Sequence, residues 1–164
     1  EEALKIGNRI SIMEGGRIVQ TGTSEDIILR PGNAYVRDFI SNVNPLSVLT
    51  AWNVMRDVRD LEPAGDDWVW LDRRRTTRFR LDENMLVIGA ERNGEPAFWV
   101  SCDDVERLPE DPSKVFWATA ETSLKVVMRA MQQSQTAPVA LFDAASRFVG
   151  AIGIRDVLRA VVRR

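Results

Sequence analysis

The region from Thr122 to Val162 constrains the fold most, because its hydrophobic period switches from helix to strand and back within one short span. Thr122 is placed to cap a helix in which Leu124, Val127, Met128 and Met131 recur at i, i+3, i+4 and i+7. Pro138 to Phe142 is a short apolar run of the kind buried on both faces of a sheet. Asp143 to Ser146 supplies turn residues, and Phe148 to Ile152 forms a second apolar run. A closing helix then puts Ile154, Val157, Leu158, Val161 and Val162 on one face. The order is helix, strand, strand, helix, and the class is α/β (α+β).

The rest of the chain reads as shorter elements. Ala3 to Ile6 ends a helix closed by Gly7-Asn8, and Arg9 to Met13 and Ile18 to Gln20 are strands joined through Gly15-Gly16. Thr23 caps a helix with acids in its first turn, and Asn33 to Ile40 forms another, with Tyr35, Val36, Phe39 and Ile40 spaced for burial. Leu46 to Val58 predicts a helix. Trp68 to Leu71, Thr76 to Leu81, Met85 to Ala90 and Ala97 to Val100 are strand-like, with a hairpin signal at Asn93-Gly94. Asp103-Asp104 is placed to cap a short helix through Leu108.

The first 40 residues, EEALKIGNRISIMEGGRIVQTGTSEDIILRPGNAYVRDFI, resemble the end of an ABC-transporter ATPase domain, with its GGRIVQ-G-T hairpin, acidic helix and P-x-N-x-Y-V-x-x-F run. The wording is most similar to the importers of glycine betaine, proline betaine and choline. That resemblance implies a parent that binds ATP and Mg²⁺ and lies on the cytoplasmic face of the inner membrane, with membrane subunits and a substrate-binding protein as partners. The catalytic parts of the family are absent from this sequence: there is no Gly-x-x-x-x-Gly-Lys-Ser/Thr loop, no signature motif and no apolar strand ending in Asp-Glu. The chain as given is therefore not expected to be an enzyme. Its start at Glu1, without Met, is expected of a piece of a longer chain.

Residues 117–162 resemble a CBS repeat, through T-S-L-x-x-x-x-x-x-M, P-V-x-x-x-D and F-V-G-x-I-x-x-x-D-V-L-x-A. CBS repeats work in pairs, so the resemblance implies three segments: an ATPase tail at 1–45, a degenerate CBS-like repeat at 46–109 and a CBS repeat at 110–164. In the degenerate repeat, Arg73 to Arg80 stands where a long helix belongs. The resemblance also implies a cleft for an adenine nucleotide or cyclic dinucleotide at Asp156, Gly153, Pro138 and Thr119, with Asp156 accepting from ribose hydroxyls. Gly153 occupies the position of a family hydroxyl, which weakens that implication. The resemblance further implies a regulatory, dimer-forming role without any required cofactor.

Composition narrows the chemistry. The 164 residues contain no histidine and one cysteine, Cys102, which removes the commonest general base and any cysteine-built zinc site. A net charge of −2 argues against a nucleic-acid partner, and no metal site is expected. Arg73, Arg74, Arg75, Arg78 and Arg80 form a basic stretch that reads as a solvated strand face or as a patch for anionic lipid. Salt shortens the Debye length from about 10 Å at 0.1 M to about 3 Å at 1 M, so such a patch would respond to ionic strength. Arg155, Arg159 and Arg163 repeat at i, i+4 and i+8 and would extend it. Five tryptophans, at 52, 68, 70, 99 and 117, supply apolar area for a core or a homodimer interface.

Overall fold

The computed structural model describes residues 2–162. Helix α1 (Glu2–Ile6) leads into a hairpin of β1 (Ile10–Glu14) and β2 (Arg17–Gly22). Gly15 and Gly16 take φ of 55° and 79°, the left-handed pair that a tight two-residue hairpin demands. Thr23 accepts from the Asp26 amide to start α2 (Ser24–Leu29), and Asn33 accepts from the Val36 amide to start α3 (Ala34–Ile40). Ile12, Ile27, Ile28, Val36 and Ile40 are buried, whereas Ile18, Tyr35 and Phe39 remain exposed, so the expected burial of α3 holds for only half of its apolar residues.

The central element is a five-stranded sheet in the order β3 (Arg56–Asp57), β11 (Phe148–Ile152), β10 (Val139–Phe142), β9 (Lys114–Ala118), β8 (Phe98–Ser101). Strands β8, β9 and β10 run parallel, while β11 is antiparallel to both β10 and β3. The parallel step from β9 to β10 needs a crossover. Helix α4 (Leu124–Gln133) supplies it, and α5 (Ile154–Val162) follows β11. The helix–strand–strand–helix order read from the sequence is therefore present. The cap of α4 is Ser123, which accepts from the Val126 amide, and not Thr122. Thr122 is turned back instead, its hydroxyl accepting from the Thr119 amide at 3.1 Å.

Alternation along β10 explains its unbroken apolar run. Val139 and Leu141 face a core shared with α4, α5 and the N-terminal elements. Ala140 and Phe142 face a second core with Val115, Phe148 and Ala151. That second face is covered by a four-stranded antiparallel meander of β4 (Trp68–Trp70), β5 (Thr77–Leu81), β6 (Val87–Arg92) and β7 (Glu95–Pro96). Phe79 of β5 is fully buried, with ring centroids 5.4 Å from Phe148 and 5.9 Å from Trp99. Asn93 and Gly94, with φ of 52° and 82°, turn β6 into β7 as the sequence predicts. The strand expected over 97–100 is also present, but it joins the central sheet and not the meander.

The segment 46–58 departs from expectation. The sequence predicts one helix, and the structure has two single 3₁₀ turns, Pro45–Ser47 and Ala51–Asn53, followed by β3. The Asn44 side chain accepts from the Leu46 amide and Asn53 Oδ1 from the Thr50 amide, local bonds that compete with helix. The Ala51 and Trp52 amides donate to the Thr122 and Ala120 carbonyls, and the Leu49 carbonyl accepts from Leu124. Long-range pairing with the loop before α4 thus takes the groups a helix would use. The short helix expected after Asp103 is likewise a 3₁₀ turn, Cys102–Asp104, and its cap is Ser101. Gly150 of β11 fixes where β3 lies: any Cβ there would collide with the Arg56 carbonyl and the Met55 methyl.

Candidate functional site: an arginine-lined cleft

An open cleft lies where the N-terminus of α5, the end of the loop after α4 and the β4–β5 turn converge. Pro138, Gly153 and Asp156 line it, so three of the four residues expected of a nucleotide cleft come together. Thr119 does not. It lies at the end of β9 beside Cys102, Trp117 and Thr122, in a separate depression. The physical reason is the parallel sheet, which carries the end of β9 away from the start of α5.

Asp156 is committed within the protein. Its Oδ2 accepts from the Gly153 amide at 2.7 Å, an acid in the first turn reaching back to the helix start. The same oxygen accepts from Arg56 Nε at 2.9 Å, and the two side chains are 8% and 16% exposed. Another guanidinium nitrogen of Arg56 donates to the Leu71 carbonyl, which ties the base of the β4–β5 turn to α5. A Cβ added at Gly153 would lie 3.4 Å from Asp156 Oδ2, an ordinary contact, so the position has room for the hydroxyl this chain lacks.

The basic stretch divides in two. Arg75 pairs with Glu62, Arg80 with Asp67 at 2.6 Å, and Arg78 with Glu91, its cross-strand neighbour. Arg78 also stacks 4.4 Å from the Trp68 ring centroid. Arg73 and Arg74 have no carboxylate partner among the described residues, and they line the cleft. Asp72 aims this pair: its carboxylate accepts from the Thr76 amide and hydroxyl and from the Thr77 amide, closing a tight turn with Arg75 at φ 56°. Arg155 joins them from α5. Arg163 lies outside the described residues. On the opposite wall Thr136 takes φ 63°, a costly conformation for a β-branched residue, as its amide bonds the Met131 carbonyl to end α4.

Sequence reasoning missed Arg56, Asp72 and Thr136. Asp72 had a local signal, an acid shortly before two threonines. Arg56 had none, because its partner lies 100 residues away.

Cys102 is buried, and burial pushes its thiol from an ordinary 9.0 up to about 12, with the Asp103 charge adding to the effect. The thiolate is therefore suppressed at neutral pH. Stability from this group is complete below pH 9.0 and is lost as pH rises towards about 12, since only the unfolded chain then releases the proton. Iodoacetamide at pH 8 is expected to label the native protein far more slowly than the urea-unfolded chain. Equal rates would show that the thiol is accessible.

No family model matches the chain. The glycine betaine transport ATP-binding protein of Bacillus subtilis is 48% identical over 56 residues, 34% of this chain and 13% of that protein. The glycine betaine/carnitine transport ATP-binding protein of Listeria monocytogenes is 51% identical over 55 residues, 34% of this chain and 14% of that protein. The osmoprotectant import ATP-binding protein of Salmonella typhimurium is 25% identical over 164 aligned positions, which take in 93% of this chain and 41% of that protein. These relatives are ATP-binding subunits of importers. The matched region spans well under half of their length. A solved CBS domain of the bacterial CNNM/CorC family Mg²⁺ transporter aligns with 78% of this chain and 90% of that chain, at a TM-score of 0.46 and 8% identity.

Proposed function

We propose that this chain is the C-terminal region of the ATP-binding subunit of an osmoprotectant importer of the glycine betaine or choline type, and that its CBS-type region tunes ATP-driven transport in response to ionic strength or a ligand. The observation that carries this reading is the Salmonella alignment, which takes in 93% of the chain and so spans both the ATPase-like tail and the helix–strand–strand–helix region. In this reading residues 1–45 are the tail, residues 46–109 the degenerate repeat and residues 110–164 the CBS repeat. ATP and Mg²⁺ serve the preceding ATPase domain, and the partners are membrane subunits and a substrate-binding protein at the cytoplasmic face of the membrane. Among the described residues no helix is long and apolar enough to cross a membrane. Leu158 and Val162, 51% and 74% exposed on α5, offer an apolar stripe for a homodimer.

The second reading is a sensor of adenine nucleotides or cyclic dinucleotides, favoured by the cleft at Pro138, Gly153 and Asp156. Arg56 already holds the carboxylate that such a ligand would use for its ribose, which favours the first reading. The anionic-lipid reading of the basic stretch contracts to Arg73 and Arg74, since Arg75, Arg78 and Arg80 are paired.

The test is transport by the importer reconstituted in vesicles, with the intact ATP-binding subunit and with one ending before Lys114. Uptake by the intact importer is expected to change with salt on the cytoplasmic side of the subunit, and the truncated form is expected to lose that dependence. An unchanged salt dependence after truncation would overturn the regulatory reading.

A further inference from the structure

The connection between α3 and β3 has the composition of a linker, with Asn42, Asn44, Pro45 and Ser47 among its residues, yet it is folded throughout. The Val43 amide donates to the Ile40 carbonyl at 2.9 Å, and the Leu49 amide to the Pro45 carbonyl at 2.8 Å. Val43, Pro45, Leu49 and Ala51 are buried. The Ala51 and Trp52 amides donate to the Thr122 and Ala120 carbonyls at 2.8 and 3.1 Å, and the Leu124 amide donates to the Leu49 carbonyl at 3.0 Å. These three bonds staple the connection to the start of α4. A linker that lets two parts move is exposed and makes few contacts, which is the opposite case. The elements before the connection gain little from local structure. Helices α2 and α3 have six and seven residues, well short of the length at which an isolated helix is stable in water. A two-stranded hairpin such as β1–β2 is likewise marginal alone. Ile27 and Ile28 of α2 and Val36 and Ile40 of α3, each 4% exposed or less, belong to the same core as Leu124 of α4 and Val157 of α5. Ile12 carries the hairpin into that core.

We propose that the tail, the connection and the helix–strand–strand–helix region form one rigid, cooperatively folded body, so that a displacement of α4 or α5 reaches the β1–β2 hairpin without slack. Close-packed cores shift between discrete arrangements and do not deform continuously, so elements that share a core move together. The staple at residues 49–52 adds a direct path, because any shift of the loop before α4 pulls on backbone that leads straight to α3. In the proposed importer the tail is then a strut between the ATPase domain and the CBS-type region, and regulation passes through it as a rigid-body movement. That consequence rests on the proposed function, whereas the rigidity rests on the packing alone.

The experiment is amide hydrogen exchange on the full chain, beside distance measurement between pairs of spin labels. Ile28→Ala in α2 is expected to lower protection about thirtyfold or more, and by the same factor in α2 and in the distant strand β10. Ile28→Val is the gentler variant, and it should lower both by about fivefold. For the distances, labels on Glu14→Cys and Lys125→Cys join the exposed hairpin to the exposed face of α4, and the buried Cys102 stays unlabelled. Their distance distribution should be single and as narrow as that of Lys125→Cys with Arg159→Cys, a pair confined to α4 and α5. The proposal is overturned if protection in β10 stays within about twofold while that of α2 falls, the mark of a tail that opens by itself. A hairpin-to-α4 distribution clearly broader than the α4-to-α5 one overturns it as well. Neither measurement involves transport, so failure here leaves the truncation experiment intact, and failure there leaves these intact.

Discussion

Arg56→Ala is expected to lower the unfolding free energy by about 3 kcal/mol, because it strands the buried Asp156 carboxylate without its cation. The pair is nearly out of solvent, so salt should restore little of the loss. Arg56→Lys should recover only part, since one ammonium does not reproduce the fork that reaches both Asp156 and the Leu71 carbonyl. The double variant Arg56→Ala/Asp156→Ala should lose less than the sum of the two single changes, the signature of a direct interaction. Urea denaturation of the four proteins measures this. A single-variant loss below about 0.5 kcal/mol, the range of neutral surface changes, would show that the pair does not hold the β4–β5 turn to α5.

Phe79→Ala is expected to cost about 4 kcal/mol, at the upper end for core truncations. Phe79 is fully buried, and it is the meander's contribution to an aromatic cluster with Trp99, Phe142 and Phe148. Losing the ring removes transfer energy and leaves a cavity that rigid strands on both sides cannot close. Near-ultraviolet circular dichroism from Trp99 and Trp117 should weaken along with the midpoint of urea unfolding, because Trp117 packs on Phe142 in the same cluster. A loss under about 1.5 kcal/mol would indicate that the meander rests only loosely on the sheet.

What was legible in the sequence was local. The Gly15-Gly16 and Asn93-Gly94 turns, the Thr23 cap and the two apolar strands before α5 each depend on residues a few positions apart, and each is present. The segment 46–58 misled because its backbone groups are satisfied by residues near 120, a partner no local pattern announces. The arginine stretch was visible as charge, but which arginines are free was not. Glu91 lies on the neighbouring strand β6, while Glu62 and Asp67 lie in the segment before β4, and only the folding of the meander brings them to the arginines. At the cleft, the residues near the start of α5 were legible, whereas Arg56 arrives from a strand defined by its contact with Gly150.

The central sheet is bounded by β3, two residues long, and β8, four residues long. Strands this short offer little unpaired backbone for a further strand to join, which guards against open-ended, fibre-like stacking. Any contact made at these two edges of the central sheet therefore rests mainly on side chains.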